Sequence, residues 1–302
     1  MICSKCSERA IVSQRYFGLH LCQDHFIQDF ERRVAETVQR NEMVKDGERI
    51  AVAVSGGKDS TALLFCLHRI LAKRNVELVA VTVDEGIAGY RDDTIKAARD
   101  IAEQLGIEQH IVSFQEEYGY DLDEMVPGKK VAPCTYCGVF RKNALNRAAK
   151  RLGADKVATG HNLDDEAQTI MMNYMKGDFE RLMRLRPRRA QAGLVPRIKP
   201  LREMPEKEIA LYCMVNGVFS ESRECPYANL SLRADVRDMM NSLESQFPGT
   251  KQSTVQGFEK MAKRAHGYAQ MELSSCRQCG EPCVKELCKA CELLGLLKSG
   301  SR

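Results

Sequence analysis

An apolar run, Arg49-Ile50-Ala51-Val52-Ala53-Val54, passes directly into Ser55-Gly56-Gly57-Lys58-Asp59-Ser60 and then into a second apolar stretch, Thr61–Leu71. A short β-rich run, a glycine turn and a longer apolar segment predict a buried strand, a loop and a helix. The rhythm recurs. Glu77–Val83 reads as a strand ending at Asp84, Asp93–Leu105 as a helix stopped by Gly106, and His110–Phe114 as a strand. Arg141–Leu152 reads as a helix stopped by Gly153, Lys156–Thr159 as a strand and Asp164–Met175 as a helix. Strands alternating with helices predict an α/β fold, a Rossmann-like parallel sheet covered on both faces. Sites in such sheets lie beyond the carboxyl ends of the strands. Asp84, Ser55–Ser60 and Gly160–Asp165 all fall there.

With 44% hydrophobic and 28% charged residues, the chain has enough apolar side chains for a core, which argues against wholesale disorder. Its apolar runs are too short to span a bilayer, and Met1 leads into a Cys-rich stretch rather than a signal peptide. The expectation is a cytoplasmic protein with no membrane partner. Net charge is only +4, which permits an anionic partner without requiring one. There are 13 cysteines, most of them in CxxC-type pairs. Without an export signal, such pairs read as metal or redox sites rather than as disulfides.

In Ser55–Ser60 the two glycines let backbone N–H groups and a helix N-terminus face an anion, and Ser55 and Ser60 add hydroxyls. The loop lacks the spacing of a Walker A motif. SGGKDS resembles the PP-loop of N-type ATP pyrophosphatases, which split ATP into AMP and pyrophosphate while adenylating an oxygen of their substrate. Gly160-His161-Asn162-Leu163-Asp164-Asp165 resembles their GHN-x-DD segment. The likeness implies ATP at Ala53, Val54, Ser55, Gly57, Asp59, Ser60, Asp84 and Gly160. Asp165 is then a ligand of Mg²⁺ or a nucleotide contact, and Asn162 doubles as a helix cap.

Cys134-Thr135-Tyr136-Cys137 precedes the helix expected at Arg141, and Cys225-Pro226-Tyr227 lies far downstream. Neither has an obvious fourth cysteine, whereas structural zinc takes four protein ligands. Three chemistries fit the residues alone. Cys134 and Cys137 could form a redox pair, Cys134 and Cys225 could carry a persulfide and close a disulfide, or all three could hold an iron–sulfur cluster with one iron left open.

PP-loop, intervening CxxC, later Cys-Pro and Cys-rich ends together resemble the TtuA/NcsA branch of the TtcA-like tRNA 2-thiouridine synthetases over nearly the whole chain. That resemblance implies a 4Fe-4S cluster on Cys134, Cys137 and Cys225. It further implies adenylation of a uridine 2-oxygen, then sulfur attack on carbon 2, with Arg141 or Lys142 neutralising charge as pyrophosphate leaves. The implied partners are tRNA, a ubiquitin-like sulfur carrier protein or free sulfide, and a second copy in a homodimer. Wobble uridine 34 and T-loop uridine 54 are both substrates within the family, and no residue here decides between them. Two other classes compete: a PP-loop enzyme adenylating something else, and a non-catalytic zinc-ribbon RNA-binding scaffold.

At the ends, Cys3, Cys6, Cys22 and His25, and Cys276, Cys279, Cys288 and Cys291, each supply four ligands in two pairs, as tetrahedral zinc requires. His20 is a poorer-spaced rival of His25, and Cys283 an extra thiol inside the second set; Cys66 and Cys213 read as core. The domains expected are an N-terminal zinc finger (1–28), a PP-loop domain with the iron–sulfur site (29–230), a helical extension (231–272, from helices at Ser231–Gln246 and Thr254–Gln270) and a C-terminal zinc ribbon (273–297). Arg181, Arg184, Arg186, Arg188, Arg189, Arg197, Lys199 and Arg202 fall in a span with no acidic residue, and suit phosphate contacts. Lys251, Lys260, Lys263 and Arg264 make a weaker second cluster.

Overall fold

The computed structural model describes residues 1–126, 131–183, 185, 193–218, 225–227, 232–264 and 273–299. In chain order the elements begin with β1 (Val12–Gln14), β2 (Leu19–Leu21), α1 (Gln23–Arg40), β3 (Arg49–Ala53), α2 (Lys58–Leu71), β4 (Glu77–Asp84) and α3 (Arg91–Gln104). There follow β5 (Gln109–Ser113), α4 (Phe114–Tyr118), α5 (Leu122–Met125), α6 (Pro133–Arg151), β6 (Lys156–Ala158), α7 (Leu163–Met175), α8 (Phe179–Met183) and β7 (Arg197–Ile198). Last come α9 (Glu206–Val215), α10 (Leu232–Gln246), α11 (Thr250–Arg264), β8 (Ser274–Ser275), β9 (Pro282–Cys283) and α12 (Lys289–Ser299).

The central sheet runs β5-β4-β3-β6-β7 with every pairing parallel. Side chains alternate across a strand, and β3 uses both faces. Ile50 and Val52 join one core with Phe30, Leu63, Leu67 and Tyr212, while Ala51 joins another with Val81, Phe140 and Ala144. A strand buried on both sides must be apolar throughout, which is why the run at Arg49–Val54 was readable. A third core binds α7 to α10 and α11 through Leu163, Ala167, Met240 and Phe258. Among the described residues no helix is long and apolar enough to cross a membrane.

The α/β expectation holds, with two departures. Helix α6 begins at Pro133, eight residues before Arg141, so Cys134 and Cys137 stand within its first two turns rather than ahead of it. Proline suits a first helical position, where its missing N–H costs nothing. Helix α11 starts at Thr250, just after Gly249 (φ 98°), rather than at Thr254; the expected stretch 265–270 lies outside the described residues, as does Ser231.

The N-terminal segment shares the sheet's first core through Leu21 and Phe26. It is also tied by charge. Asp29, 3% exposed, accepts from Gln14 at 3.1 Å, pairs with Arg32 at 2.6 Å and with Arg33 at 2.9 Å. Arg33 also pairs with Glu208 of α9. Burial works against ionisation of Asp29, but the hydrogen bonds from Arg32 and Gln14 and the charge of Arg33 hold its carboxyl below the usual carboxylate range. A depressed carboxyl stabilises the fold above its unfolded value of about 3.9, and the benefit is lost as pH falls through the lower folded value. Asp29→Asn should therefore melt below wild type at neutral pH, with the gap shrinking once pH drops below about 4. A gap as wide at pH 3 as at pH 7 in paired melting curves contradicts this.

Candidate active site and metal centres

The loop after β3 is shaped by its neighbours. Gly56 has φ 86°, and a Cβ there would lie 1.8 Å from the Thr94 carbonyl oxygen, so only glycine fits. Ser60 Oγ donates to the Gly57 carbonyl at 2.9 Å and accepts from the Ser55 N–H at 3.0 Å. Helix α2 follows at once and aims its N-terminus, with the partial positive charge of unpaired N–H groups, at the loop. The Lys58 ammonium turns aside to Glu206 at 2.6 Å and Asp59 at 3.1 Å.

The second motif touches the first. A Cβ on Gly160 would lie 3.0 Å from the Asp59 backbone carbon, and Asn162 Nδ2 donates to Asp59 Oδ1 at 3.2 Å. Asn162 caps α7, accepting from the Asp165 N–H at 2.9 Å, while Asp165 accepts from the Asn162 N–H at 3.3 Å. Burial, then nearby Asp59 and Glu206, pushes the Asp165 carboxyl up to about 6, against the pull of its backbone hydrogen bond and of Arg233. Burial likewise drives His161 down to about 3, so its ring is neutral; it meets the Thr159 hydroxyl at 2.9 Å. Asp84 ends β4 and accepts from the Gly86 N–H at 2.9 Å. Ala53 ends β3 and Val54 follows it, donating to the Val81 carbonyl at 2.9 Å.

Cys134 and Cys137 are brought to the Cys225 segment. The Cys134 thiol lies 3.7 Å from the Tyr227 carbonyl, and Tyr227 donates to Asp123 at 2.7 Å, which pins Cys225–Tyr227 to α5. Cys137, Cys225, Tyr90 and Tyr227 all pack against the second core. Burial pushes the Cys137 thiol up to about 11; Arg141 opposes this, while Glu85 and Cys225 add to it. The Arg141 guanidinium sits 2.8 Å from Cys137 Sγ, one helical turn away, and 2.7 Å from Glu85. Glu85 is 3% exposed and was invisible in the sequence, being one acid after a strand end.

Both terminal sets converge, each with its four ligand atoms within 4.8 Å of one another. At the N-terminus His25 Nδ1 lies 3.2 Å from Cys22 Sγ and 3.5 Å from Cys3 Sγ, so His25 completes that set rather than His20. At the C-terminus Cys279 and Cys288 are 3.5 Å apart; Cys283 turns out to the Lys285 carbonyl at 2.8 Å and is not one of the four. Cys66 and Cys213 are fully buried core, as expected.

The basic run divides. Lys199 pairs with Glu166 at 2.5 Å, and Arg202, 9% exposed, pairs with Glu259 at 2.6 Å. Lys251, 7% exposed, pairs with Asp164. These three are committed to internal partners, which the sequence hid because every partner is distant in the chain. Arg197 is exposed and donates to the Lys142 carbonyl at 2.7 Å, and Arg181 is exposed beside Asp178 at 3.6 Å. Arg184, Arg186, Arg188 and Arg189 lie outside the described residues. Helix α10 adds a residue the sequence reading missed: Arg233, 3.6 Å from Asp165 and bonded to Gln168 and Thr169.

A parallel sheet that carries SGGKDS after its central strand and GHN-x-DD after the neighbouring one is a PP-loop ATP-binding domain, and the PP-loop domain family matches residues 26–241. The N-terminal LIM domain of 2-thiouridine synthetase TtuA matches residues 2–27. The chain is 36% identical to the tRNA 2-thiolation protein NcsA of Haloferax volcanii, over 97% of this chain and 98% of that one. It is 37% identical to the cytoplasmic tRNA 2-thiolation protein 1 of Drosophila melanogaster, over 99% and 89%. A solved structure, the U34-tRNA thiolase NcsA of Methanococcus maripaludis with its [4Fe-4S] cluster, superposes with a TM-score of 0.88 at 37% identity, covering 98% of this chain and 96% of that one. The protein belongs to the TtuA/NcsA family of tRNA 2-thiolation proteins.

Proposed function

We propose that the protein is an ATP-dependent sulfurtransferase that forms 2-thiouridine in tRNA in the cytoplasm. One observation carries the reading: Arg141 and Glu85 join the CxxC helix to the end of β4, at the same sheet edge as the SGGKDS loop. Activation and sulfur delivery therefore have adjoining places.

ATP is the first substrate. The Gly57 N–H, the N–H groups of the Asp59–Ser60 helix start and the Ser55 hydroxyl receive its phosphates. Ala53, Val54, Asp84 and Gly160 line the strand ends beside it. Asp165 would hold Mg²⁺ beside the phosphates, where the ion would offset their charge. Attack of the uridine 2-oxygen on the α-phosphorus expels pyrophosphate, and the adenylated oxygen later departs as AMP. The residues present fit an iron–sulfur group: three thiols from two distant segments with the Arg141 guanidinium beside them. Cys134, Cys137 and Cys225 would hold a 4Fe-4S cluster, which would present the incoming sulfide to carbon 2. Arg141 offsets thiolate charge at Cys137, and a cation there favours the ionised ligand. Exposed Arg181 and Arg197 serve tRNA phosphates, and the terminal cysteine sets hold one zinc each. Wobble uridine 34 is the proposed target, following the Methanococcus relative; the sulfur source is a ubiquitin-like carrier or free sulfide, and the working unit a homodimer.

The test is anaerobic incubation of purified protein with tRNA, ATP and sulfide, then digestion and nucleoside mass spectrometry. The expected product is 2-thiouridine, with release of pyrophosphate that depends on tRNA. Pyrophosphate release without thiolation favours a PP-loop enzyme of another kind, and absence of both favours an RNA-binding scaffold.

The loop itself gives a further expectation. Gly56→Ala would force a strained φ costing about 1–3 kcal/mol and a clash with Thr94, so ATP should bind more than about tenfold weaker. Equilibrium dialysis with ATP checks this; unchanged affinity would show that the nucleotide does not use the loop.

A further inference from the structure

We propose that Glu85 is a positioning residue that holds Arg141 against Cys137 and, through Arg91, ties that placement to the Ser55 loop. The inference rests on the functional reading above and adds to it a physical link between its two halves.

Glu85 stands just past the end of β4 and is 3% exposed. One carboxylate oxygen lies 2.7 Å from Arg141 Nε and the other 2.8 Å from Arg91 Nε. Arg91, itself 4% exposed, donates to the Ser55 carbonyl at 3.1 Å and the Thr94 hydroxyl at 2.9 Å, and also to the Val83 carbonyl. Thr94 is the residue whose carbonyl leaves room only for glycine at position 56. Arg141 in turn reaches Cys137 Sγ at 2.8 Å. One buried carboxylate thus has the phosphate loop at the end of one arm and a candidate sulfur-site thiol at the end of the other.

The chemistry requires an acid. An ionised carboxylate only accepts, so it can serve two guanidiniums at once, and each charged contact is stronger than a neutral one. A glutamine accepts at one oxygen and turns an N–H₂ toward the second guanidinium, so one arm must let go. Arg141 is the arm with freedom to leave, its side chain 48% exposed against 5% for Arg91. Asp84, 3.9 Å from Arg91 Nε, is too far to replace Glu85 as a close partner.

Linked sites change one another's affinity by the same factor, commonly about 5–150-fold. The test therefore compares the ATP dissociation constant of the full chain with and without its reconstituted cluster, iron per chain matched between variants. In wild type the two constants should differ by at least about fivefold. In Glu85→Gln the ratio should fall to about one. Arg141→Gln keeps the buried Glu85–Arg91 pair, so it guards against a folding failure of the first variant, and its ratio should also fall to about one. A wild-type ratio of one, or a variant that folds and keeps the wild-type ratio, overturns the inference alone. Wild-type protein that binds no ATP in either form overturns the functional reading, and the inference falls with it.

Discussion

Cys225→Ala is expected to lose tRNA thiolation by more than about 100-fold, because even outer partners of metal ligands are worth roughly 10–100-fold and this residue is proposed as a ligand itself. ATP affinity in the cluster-free protein should stay within about twofold of wild type, since no nucleotide contact is removed. The segment around Cys225 reaches the site through Cys134, whose thiol meets the Tyr227 carbonyl, and through Tyr227, whose hydroxyl is anchored on Asp123. Removing one thiol leaves both anchors in place, so the fold should survive while a coordination position disappears. The same variant separates the candidate chemistries. A PP-loop enzyme that adenylates and hands its substrate to a different nucleophile has no use for Cys225. Thiolation within about threefold of wild type would therefore remove the three-cysteine site from the account.

The second large effect is on stability. Lys251→Met should lower the melting temperature by roughly 6–20 °C, from a loss of about 3–5 kcal/mol at a few degrees per kcal/mol. Lys251 on α11 pairs with Asp164 of α7 and also donates to Asn241 at 2.6 Å. Asp164 is 5% exposed and accepts from the Glu206 N–H at 2.8 Å. Taking the ammonium away leaves a carboxylate in the interior with no countercharge, the costly case for a buried pair. Replacing both partners, Lys251→Met with Asp164→Leu, should recover most of the loss, because two apolar groups impose no charge penalty. Calorimetry on the single and double variants decides it; a single variant melting within about 2 °C of wild type refutes the pairing's importance. Asp164 adjoins Asp165, so the single variant should also weaken ATP binding.

What was legible in the sequence follows from the range of the forces involved. The βα units could be read because β3 and β4 are buried on both faces and α3, α6 and α7 run into Gly106, Gly153 and Gly177, so the pattern is local. The terminal ligand sets could be read because zinc-type spacing is local as well, and the geometry of His25 in place of His20 agrees with it. The start of α6 was missed because Thr135, Gly138 and the cysteines give no amphipathic signal, and only Pro133 marked the turn. Helix α9 went unmarked too, short and apolar on most sides, though its Tyr212 stacks on Phe30 at 4.1 Å and fastens it to α1. Long-range charge was the blind spot. Arg202 and Lys251 looked like phosphate binders because Glu259 and Asp164 are far away in the chain. Glu85 and Arg91 looked ordinary for the same reason, although both are buried at the site. Arg233 belongs here also, since only folding brings α10 to Asp165.

The terminal modules bear on the site as well. Cys276, Cys288, Cys291, Leu293 and Leu297 are buried in the same core as Tyr136 and Phe140 of α6. Stripping metal from the C-terminal set should therefore loosen the helix that carries Cys134 and Cys137, in keeping with the tight coupling of such sites to folding. Incubation with a strong zinc chelator should raise hydrogen exchange along α6 as well as in residues 273–299. Faster exchange confined to the terminal segment would show that the two are uncoupled.

The most direct measurement is anaerobic purification of the whole chain with quantification of iron, acid-labile sulfide and zinc alongside the thiolation assay. Three open-site thiols and two closed four-ligand sets predict about four iron, about four sulfide and about two zinc per chain, with iron lost in Cys225→Ala and zinc kept. A preparation that holds zinc alone and still converts uridine to 2-thiouridine would contradict the account.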